Sequence, residues 1–404
     1  MIVRKGFRFR LYPNQEQEAL LAVQFGHKRH IYNWGIDQSR GRYPGYTALA
    51  NQLPSMKRSA EYSWLKAAHS QVLQQALMDL DEAYQNFFDK RAGYPRFKGK
   101  RAKQSIRYPQ PNADWISADQ CRIYLPKVGW VKVKLHRPLE GVMKSVTVSR
   151  TKSGQYFVSI NVEVEAKQPE ATGGKVGLDV GLCDFVTLST GEKVGPEEHL
   201  RQAERQRRRL ARWLSRKQPG SRNREKARLR LARLDAHIAN QRRGFHHRLS
   251  HRLVREHRLI ALEDLNVRGM MANRRLARSI GDAGWSAFAE MLEYKGEWYG
   301  CQVVKVDRWY PSSRTCSNCE LLVEHLSLNI RKWQCPECGA IHDRDVNAAV
   351  NILRQATVGV TGSPGRGTPI FAETTRPGRL WTACKTQDCC GSRAGWMKQE
   401  ANLL

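Results

Sequence analysis

The stretch Cys335-Pro-Glu-Cys-Gly-Ala-Ile-His-Asp-Arg-Asp-Val-Asn-Ala-Ala349 places two kinds of metal ligand within fifteen residues. It opens with a C-x2-C pair, whose thiolates suit zinc. After a gap of four residues come the carboxylates of Asp343 and Asp345, which suit a harder ion such as magnesium. The sequence therefore predicts a structural metal site directly beside one part of an acidic site.

A second C-x2-C pair lies upstream, separated from the first by 15 residues. This spacing lets two tight turns, or knuckles, converge so that four thiolates surround Zn²⁺ tetrahedrally. The predicted zinc ligands are Cys316, Cys319, Cys335 and Cys338. Four protein ligands leave no open coordination position, so the zinc is expected to be structural. Glu320 stands where knuckles usually have a glycine, as Gly339 does in the second pair, which predicts a distorted first knuckle.

The other six cysteines have no such spacing, and buried or free thiols account for them. They are Cys121, Cys183, Cys301, Cys384, Cys389 and Cys390. Between the two knuckles, Arg331, Lys332 and Trp333 could touch nucleic acid or could equally be surface residues around a packed tryptophan.

The most unusual bulk property is charge: 68 Lys and Arg stand against 38 Asp and Glu, a net charge of +30 over 404 residues. Such an excess favours a polyanionic partner, and nucleic acid is the expected one. No window approaches the roughly 20 apolar residues that span a bilayer, and the N-terminus lacks a signal-peptide pattern. The cysteines are therefore interpreted in a reducing cytosol, where their spacing indicates metal rather than disulfides.

Periodicity divides the first part of the chain. Residues 1–12 alternate apolar and basic side chains, which predicts a strand. Residues 70–90 carry Leu73, Leu77, Leu80, Tyr84 and Phe87 at helical spacing, within a block 13–95 that we interpret as helical. Further strands are predicted at 122–125, 131–135, 146–149 and 156–164. With 1–12 they could close a small antiparallel barrel that the helical block interrupts, and 167–174 is the clearest linker.

Residues 201–258 contain 20 Lys and Arg against 4 Asp and Glu, a net charge of +16. Apolar stripes predict two long helices broken at Pro219-Gly220. A solvated charged surface is the ordinary explanation of such a run, but the scarcity of acids favours a helical pair that faces nucleic acid. The segment from about Val358 to the C-terminus has no periodicity and is predicted to be a flexible tail.

Three acids stand out by position. Asp179 lies within a predicted strand at 175–182, Glu263 ends a buried-type strand at 259–262, and Asp345 precedes an amphipathic helix. Each has an ordinary alternative, since Asp343 or Asp345 could cap that helix, Glu263 could be an exposed strand end, and Asp179 could adjoin a turn. Together they match what an RNase H-like nuclease requires, in which carboxylates hold two Mg²⁺ ions about 4 Å apart for phosphodiester displacement.

These residues resemble the TnpB proteins of insertion sequences, compact RNA-guided DNA endonucleases akin to type V CRISPR effectors. The ordered motifs are Gly177-Leu-Asp-Val-Gly181, Ala261-Leu-Glu-Asp-Leu265, the two C-x2-C pairs and Asp343-Arg-Asp-Val-Asn-Ala-Ala349. Five further stretches match: Arg10-Leu-Tyr-Pro-Asn14, Tyr94-Pro-Arg-Phe-Lys98, Leu125-Pro-Lys-Val-Gly129, Ser279-Ile-Gly-Asp-Ala-Gly-Trp285 and Tyr310-Pro-Ser-Ser-Arg-Thr-Cys316. The likeness covers about residues 1–355.

The resemblance implies an α/β multidomain protein. A wedge β-barrel (1–12 and 96–168) would be interrupted by a helical recognition lobe (13–95), followed by an RNase H-like (RuvC) nuclease domain (172–357) with a zinc-ribbon insertion (309–341) and the tail 358–404. By motif, the catalytic, magnesium-binding residues are Asp179, Glu263 and Asp345.

The resemblance also implies function and partners. It predicts a transposon-encoded, Mg²⁺-dependent endodeoxyribonuclease that acts beside a short flanking motif. Its expected partners are a guide RNA derived from the transposon end and target double-stranded DNA, in a 1:1 protein–RNA complex without a membrane. The expected location is the prokaryotic cytoplasm, on the nucleoid when bound to DNA, and the expected cofactors are two Mg²⁺ and one Zn²⁺.

Candidate nucleic-acid contacts come from the helical lobe and the basic stretch that follows it. They are Gln74, Tyr94, Arg96, Lys98, Arg101 and Lys103, whose polar side chains suit phosphates or base edges. Three rival functions remain: a transposase that joins DNA ends, a guide-directed binding protein that does not cut, and a dimeric junction resolvase without RNA. Strand-transfer products would identify the first; an intact set of three acids disfavours the second, and the zinc ribbon disfavours the third.

Overall fold

The computed structural model describes residues 2–100, 102–117, 119–165, 173–327 and 330–358. Arg101, most of the predicted linker, all but the first residue of the predicted tail, and the three cysteines in that tail lie outside these ranges. The chain divides into two compact units: Met1–Lys167 with Arg216–Arg233, and Gln168–Ser215 with Leu234–Leu404. Each unit has its own main sheet and its own hydrophobic cores.

The sheet of the first unit is antiparallel, with six strands in the order β2-β5-β6-β1-β4-β3. The strands are β1 Ile2–Tyr12, β2 Gln104–Tyr108, β3 Arg122–Leu125, β4 Gly129–Lys134, β5 Val142–Arg150 and β6 Tyr156–Glu165. The inward side chains of all six, such as Phe9 and Val131, meet in one buried core. The predicted strands are confirmed, and β2 was missed. Closure into a barrel stays a prediction, because the described pairing ends at β2 and β3.

Four helices of the first unit lie between β1 and β2 in the chain: α1 Gln15–Asp37, α2 Tyr46–Ala50, α3 Leu53–Arg58 and α4 Ser70–Phe88. Asn14 begins α1 through a reciprocal capping box with Gln17. The predicted stripe of α4 is buried as expected, from Leu73 to Tyr84. It forms a second core with apolar residues of α1, α2 and α3, so the helical character of block 13–95 is confirmed.

The sheet of the second unit is mixed, in the order β11-β10-β7-β8-β9. Its strands are β7 Gly174–Val180, β8 Val186–Leu188, β9 Lys193–Val194, β10 His257–Glu263 and β11 Gln302–Val306. β7, β10 and β11 are parallel, whereas β8 and β9 extend the sheet antiparallel. A separate hairpin is formed by β12 Lys332–Gln334 and β13 Ile341–Asp343.

Helices cover both faces of this sheet, which explains why the centre of β7 is buried. The helices in this part of the chain are α5 His199–Ser215, α6 Arg222–Glu256, α7 Val267–Met270, α8 Ala277–Ala283, α9 Trp285–Tyr299 and α10 Arg344–Val358, and α6 as far as Arg233 belongs to the first unit. Residues of α6, α8 and α9 form the larger core with one face, and Ile352 and Ala356 of α10 pack on the other. The predicted break at Pro219-Gly220 falls between α5 and α6. Within the described residues, no helix has the length and apolar character needed to cross a membrane.

Candidate functional site

The four predicted zinc ligands converge. The Sγ atoms of Cys316, Cys319, Cys335 and Cys338 all lie within 4.8 Å of one another. The Cys316–Cys338 and Cys319–Cys335 sulfur separations are 3.7 and 3.5 Å. Zn–S bonds of about 2.3 Å in a tetrahedron place sulfurs about 3.8 Å apart, so the donors fit a zinc ion. Hydrogen bonds from the Asn318 side chain and the Ala340 backbone lower the pKa of the Cys338 thiol, which favours the thiolate.

The two knuckles have the same backbone conformation, so the predicted distortion of the first is wrong. Glu320 has a φ of 65° and Gly339 a φ of 71°. The amide N–H of Glu320 donates to the Cys316 carbonyl at 2.9 Å, and that of Gly339 donates to the Cys335 carbonyl at 3.0 Å. Glu320 therefore accepts a left-handed backbone conformation that its side chain disfavours.

A histidine that the sequence analysis did not single out adjoins the cysteines. The Nε2 atom of His342 lies 3.0 Å from the Cys316 sulfur, and its ring packs on the buried Trp333 at 4.8 Å. In the tautomer with a proton on Nε2, the ring would donate to a Cys316 thiolate and stabilise its charge. The burial of Trp333 agrees with the second alternative given above, in which the neighbouring basic residues surround a packed tryptophan.

Two of the three predicted acids lie at the C-terminal ends of neighbouring strands, Glu263 as the last residue of β10 and Asp179 as the last but one of β7. β7 and β10 run parallel, with Leu178 opposite Leu262. Asp179 and Glu263 are the next residues on each strand, so both lie at the same edge of the sheet. Asp179 is buried, with 4% of its surface exposed, and Glu263 accepts a hydrogen bond from the Ser312 hydroxyl at 2.6 Å. The carboxyl ends of parallel strands are a common position for active sites.

The third acid, Asp345, lies in the first turn of α10, which packs directly against β7. Gly177 makes this contact possible: a Cβ atom there would lie 2.0 Å from the Ala349 carbonyl oxygen and 2.9 Å from the Leu353 Cβ. The capping alternative is resolved in favour of Asp343, whose Oδ1 accepts from the amides of Asp345 and Val346 at 3.1 and 3.2 Å. Asp345 itself is left to other partners.

Two acidic residues at the start of α10 form ion pairs with basic side chains. Arg331 Nη1 lies 3.2 Å from Asp345 Oδ2 and 3.4 Å from Oδ1, and Lys193 Nζ lies 2.9 Å from Asp343 Oδ2. Among the described residues, the cysteines form the one group whose ligand atoms all lie within 4.8 Å. The carboxylates of Asp179, Glu263 and Asp345 are therefore not all within 4.8 Å of one another in this conformation. The Arg331 guanidinium pairs with the Asp345 carboxylate.

Two buried asparagines connect α10 to the loop of the first knuckle. Asn351 Nδ2 donates to the Ser312 and Thr315 carbonyls at 2.9 and 2.6 Å. Asn347 donates to the Thr315 carbonyl at 2.7 Å and accepts from the Ser317 amide at 2.9 Å. The same loop therefore contacts α10, carries Cys316 of the thiol cluster and reaches Glu263 through the Ser312 hydroxyl. Sequence reasoning missed these residues, because an asparagine on a helix usually indicates a solvent-exposed face.

The predicted nucleic-acid contacts are placed differently from one another. Gln74, Tyr94, Arg96 and Lys103 are exposed, whereas Arg101 lies outside the described residues. Lys98 is half-buried, with its Nζ 3.3 Å from the centre of the Tyr32 ring, and burial lowers the pKa of its ammonium group to about 8. Lys98 therefore stabilises the first unit in this conformation instead of extending into solvent.

The basic helix α5 has no buried residue, whereas α6 buries one apolar side, which includes Phe245 and Leu249, and exposes basic side chains such as Arg243 and Arg248. Three of the four acids in residues 201–258 are already paired: Arg207 with Asp235, Arg228 with Glu225, and Arg208 and Arg278 with Glu204. Since twenty basic residues share four acids, most of the positive charge of this segment is not neutralised within it. Asp282 accepts a hydrogen bond from the Leu200 amide at 3.1 Å and so caps the first turn of α5.

Three family models match the chain. Residues 285–352 match the Cas12f1-like TNB domain, residues 159–274 match the OrfB/IS605 family described as "Probable transposase", and residues 1–44 match its helix-turn-helix domain. A Streptomyces pristinaespiralis protein named as an RNA-guided DNA endonuclease is 41% identical over 391 residues, covering 93% of this chain and 95% of that relative. The chain belongs to the IS605 TnpB family.

A second relative agrees with this assignment, and a solved structure has a similar fold. InsQ of Escherichia coli K12, also named as an RNA-guided DNA endonuclease, is 35% identical over 371 residues, covering 86% of this chain and 91% of that protein. The solved structure of the mini-RNA-guided endonuclease CRISPR-Cas_phi3 aligns with a TM-score of 0.50 at 9% identity, covering 91% of this chain and 94% of that one. This likeness concerns the fold, and it supports the mixed α/β architecture expected from the sequence.

Proposed function

We propose that this TnpB protein is an RNA-guided endonuclease that hydrolyses DNA phosphodiester bonds at Asp179, Glu263 and Asp345. What supports the proposal is the parallel register that puts Asp179 and Glu263 at one edge of the sheet, together with α10, which packs on Gly177 about one turn beyond Asp345, in a chain 41% identical to a protein named for this activity. Carboxylates repel a phosphate backbone. In a protein of net charge +30 that is expected to bind nucleic acid, a group of carboxylates can serve to hold cations against that backbone.

The chemistry of the donor set fits magnesium. Carboxylate oxygens are the hard ligands that Mg²⁺ prefers, and Asp179, Glu263 and Asp345 would hold two ions. When bound, these would supply charge stabilisation for the attacking and leaving oxygens of the displacement. The protein's own contribution is positioning: Ser312 orients Glu263, α10 carries Asp345, and the buried strand β7 fixes Asp179. The cysteines would hold one structural zinc.

The remaining assignments follow the family. We propose that the six-stranded unit with its helices is the wedge and recognition region, and that the second unit contains a RuvC-like nuclease domain with a zinc-ribbon insertion. The partners would be a guide RNA from the transposon end and target double-stranded DNA in a 1:1 protein–RNA complex. Base pairing would supply the sequence specificity, while the protein contacts backbones and a short flanking motif.

The test uses the protein co-expressed with its transposon end, purified with its RNA, and supplied with plasmid DNA that matches the guide. We expect Asp179→Asn and Glu263→Gln to lower cleavage at least about 1,000-fold, since each removes a charge from the metal site. Both should leave RNA and DNA binding within a few-fold. Asp264→Asn is the matched control, because Asp264 is adjacent to Glu263 and pairs with Arg308 instead. Full cleavage by Asp179→Asn, or cleavage without RNA, contradicts the proposal.

Strand transfer is the second candidate, because the matching family is described as a transposase and three acids can support transesterification as well as hydrolysis. The same reactions distinguish the two. Ligated donor–target molecules indicate strand transfer, whereas only cut target ends indicate hydrolysis.

A further inference from the structure

Lys193, in the short strand β9, shares one row of the second unit's sheet with Asp179. Asp179 lies opposite Thr187 on β8, and Thr187 lies opposite Lys193 on β9. Residues directly opposite each other in an antiparallel pair project from the same face of the sheet. Gly177, two residues before Asp179 and therefore on the same face, is the residue of β7 that α10 approaches closely. The strand register therefore directs the Lys193 side chain to the face covered by α10.

The Lys193 ammonium group reaches acids from two different elements. Its Nζ lies 2.9 Å from Asp343 Oδ2 and 3.8 Å from Asp184 Oδ2. Asp343 directly precedes α10, and Asp184 lies in the connection that follows β7. Burial opposes the charge of the ammonium group, but the hydrogen bond to Asp343 and the charges of Asp343, Asp345 and Asp184 outweigh it and raise its pKa. Lys193 is therefore a permanent positive charge between the end of β7 and the start of α10.

Both carboxylate oxygens of Asp343 are engaged in this arrangement. Oδ1 accepts from the amides of Asp345 and Val346 at 3.1 and 3.2 Å, and Oδ2 accepts from the Lys193 ammonium group at 2.9 Å. A carboxylate that caps a helix and also pairs with a lysine is poorly placed to bind a metal ion. The pairing therefore favours Asp345 over Asp343 as the metal ligand of the Asp343-Arg-Asp345 motif.

A tight hairpin fixes the backbone that carries Lys193. The Gly191 amide donates to the Leu188 carbonyl at 3.0 Å, and the Leu188 amide donates to the Glu192 carbonyl at 2.8 Å. The Glu192 carboxylate pairs with Arg252 of α6 at 2.7 Å. A side chain on such a supported backbone positions its partners more precisely than one on an irregular loop.

We propose that Lys193 is a positioning residue of the nuclease site: it holds the first turn of α10 beside the end of β7 and keeps Asp343 away from the metal, so that Asp345 binds it. This inference rests on the function proposed above. Lys193 acts through Asp343 and Asp184, and it touches neither the metal nor the DNA.

Two other roles of a lysine at this position predict different results. A cation that competes with magnesium would weaken metal binding, so its removal would strengthen it. A phosphate contact would contribute to DNA affinity, and its removal would weaken DNA binding and make that binding less dependent on salt. The positioning role predicts weaker metal binding and unchanged DNA binding when the lysine is removed.

The first test measures metal binding by the full chain without nucleic acid. The probe is Mn²⁺ alone, which takes the same oxygen ligands as Mg²⁺, and electron paramagnetic resonance counts the free ion. Subtracting the binding that remains in Asp179→Asn isolates the ions that depend on Asp179. Lys193→Met should weaken their binding about tenfold, whereas Lys193→Arg, which keeps the charge, should stay within a few-fold of the unmodified chain. Equal or tighter Mn²⁺ binding by Lys193→Met overturns the proposal.

The second test follows plasmid cleavage by the RNA-bound protein as the Mg²⁺ concentration is varied. Lys193→Met should raise the half-saturating concentration about tenfold, and saturating Mg²⁺ should largely restore the rate because excess ion offsets weaker binding. Asp343→Asn keeps an oxygen for the amides of α10 but loses the charge that faces Lys193, so it should reproduce this shift. A rate lowered by the same factor at every Mg²⁺ concentration, which lost folding would cause, overturns the proposal. Weaker DNA binding with a shallower salt dependence also overturns it.

Lys305→Met is the matched control. Lys305 lies in β11 of the same sheet and pairs with Glu293, and its side chain is 43% exposed compared with 34% for Lys193. This variant should leave Mn²⁺ binding and the half-saturating Mg²⁺ concentration unchanged. Normal cleavage and normal Mn²⁺ binding by Asp179→Asn would contradict the nuclease site itself. Loss of both by Asp179→Asn, with Lys193→Met unchanged, would contradict only the role of Lys193.

Discussion

Glu320 shows how a single backbone hydrogen bond can outweigh a side-chain preference. Its amide N–H closes the first knuckle on the Cys316 carbonyl, which requires a positive φ that costs a residue with a Cβ about 1 kcal/mol or more. Its carboxylate meets Arg354 at 3.0 Å, but so exposed an ion pair contributes little. The knuckle therefore keeps its shape at a cost that glycine would avoid.

We therefore expect Glu320→Gly to stabilise the protein by about 0.5–1 kcal/mol, because glycine adopts this conformation without steric strain. Thermal unfolding of the zinc-loaded protein is the measurement. Glu324→Gly, in the same loop, is the control and should not stabilise. A lower unfolding temperature for Glu320→Gly would show that the ion pair with Arg354 outweighs the strain.

Gly177 provides a second prediction at the scale of one residue. An added methyl group would meet the Ala349 carbonyl at 2.0 Å, and α10 would have to move away from β7. We expect Gly177→Ala to destabilise the protein by about 1–3 kcal/mol and to lower cleavage by displacing Asp345 from Asp179. Gly174→Ala, in the same strand with nothing within 4 Å of the new Cβ, should change neither quantity. Equal behaviour of the two variants would contradict the close contact.

At the scale of elements, the zinc knuckles and α10 form one connected structure through Asn347 and Asn351. Loss of the metal should therefore affect the acidic site more than it affects the first unit. We expect Cys335→Ser to lower cleavage at least about tenfold, since residues that support a metal site from outside commonly contribute about 10- to 100-fold and the thiol cluster supports α10 in this way, while RNA binding stays within a few-fold. Filter binding and plasmid cleavage measure the two quantities on the same preparation.

The buried cysteine Cys301 supplies the control for that substitution, because it lies in the second unit outside the set of four. Cys301→Ala should retain zinc and cleavage. Normal cleavage by Cys335→Ser, with zinc shown to be absent by elemental analysis, would mean that α10 holds its position without the knuckles.

Prediction from sequence succeeded where the burial of one face of an element determines both the side-chain pattern and the structure. β3 was predicted at 122–125 and is Arg122–Leu125, because alternation reports which face is buried. It failed where burial is polar: Asn347 and Asn351 satisfy loop carbonyls, and their side chains carry no periodic signal. β11 was also missed, because a short strand of the form Gln302-Val-Val-Lys-Val306 is too brief and too mixed to separate from a loop.

The three acids illustrate both sides of this limit. Motif order indicated Asp179, Glu263 and Asp345, but sequence spacing does not show which cations lie beside them. The Arg331–Asp345 pair joins residues fourteen positions apart across the β12–β13 hairpin. Only the fold brings that guanidinium to the carboxylate.

At the scale of the whole molecule, buried histidines determine how stability depends on acidity. Burial lowers the pKa of His246 to about 4, and it also lowers the pKa values of His27, His30 and His69. Between the folded and the unfolded pKa, the unfolded chain binds the extra protons, so stability falls as the pH falls. The affected window runs from about pH 6.5 down to about pH 4.

We expect the free energy of unfolding to decrease steeply over that window, with His246 alone contributing about 3 kcal/mol. His246→Gln keeps a donor for the Ala283 carbonyl, which lies 2.8 Å from His246 Nε2, and should flatten the profile. The exposed His237 supplies the control, since His237→Gln should leave the profile unchanged. Urea unfolding at a series of pH values is the measurement, and identical profiles for the two variants would refute the assignment to His246.

The contacts of the loop 312–317 determine how the effects of two substitutions combine. Ser312 supports Glu263, the carbonyls of Ser312 and Thr315 hold α10 through Asn351, and Cys316 is one of the four clustered thiols. A substitution in the thiol cluster and a substitution of Asn351 therefore disturb the same loop rather than two separate structures. In a double-mutant cycle the two losses would overlap instead of adding, so the second would cost little once the first has occurred.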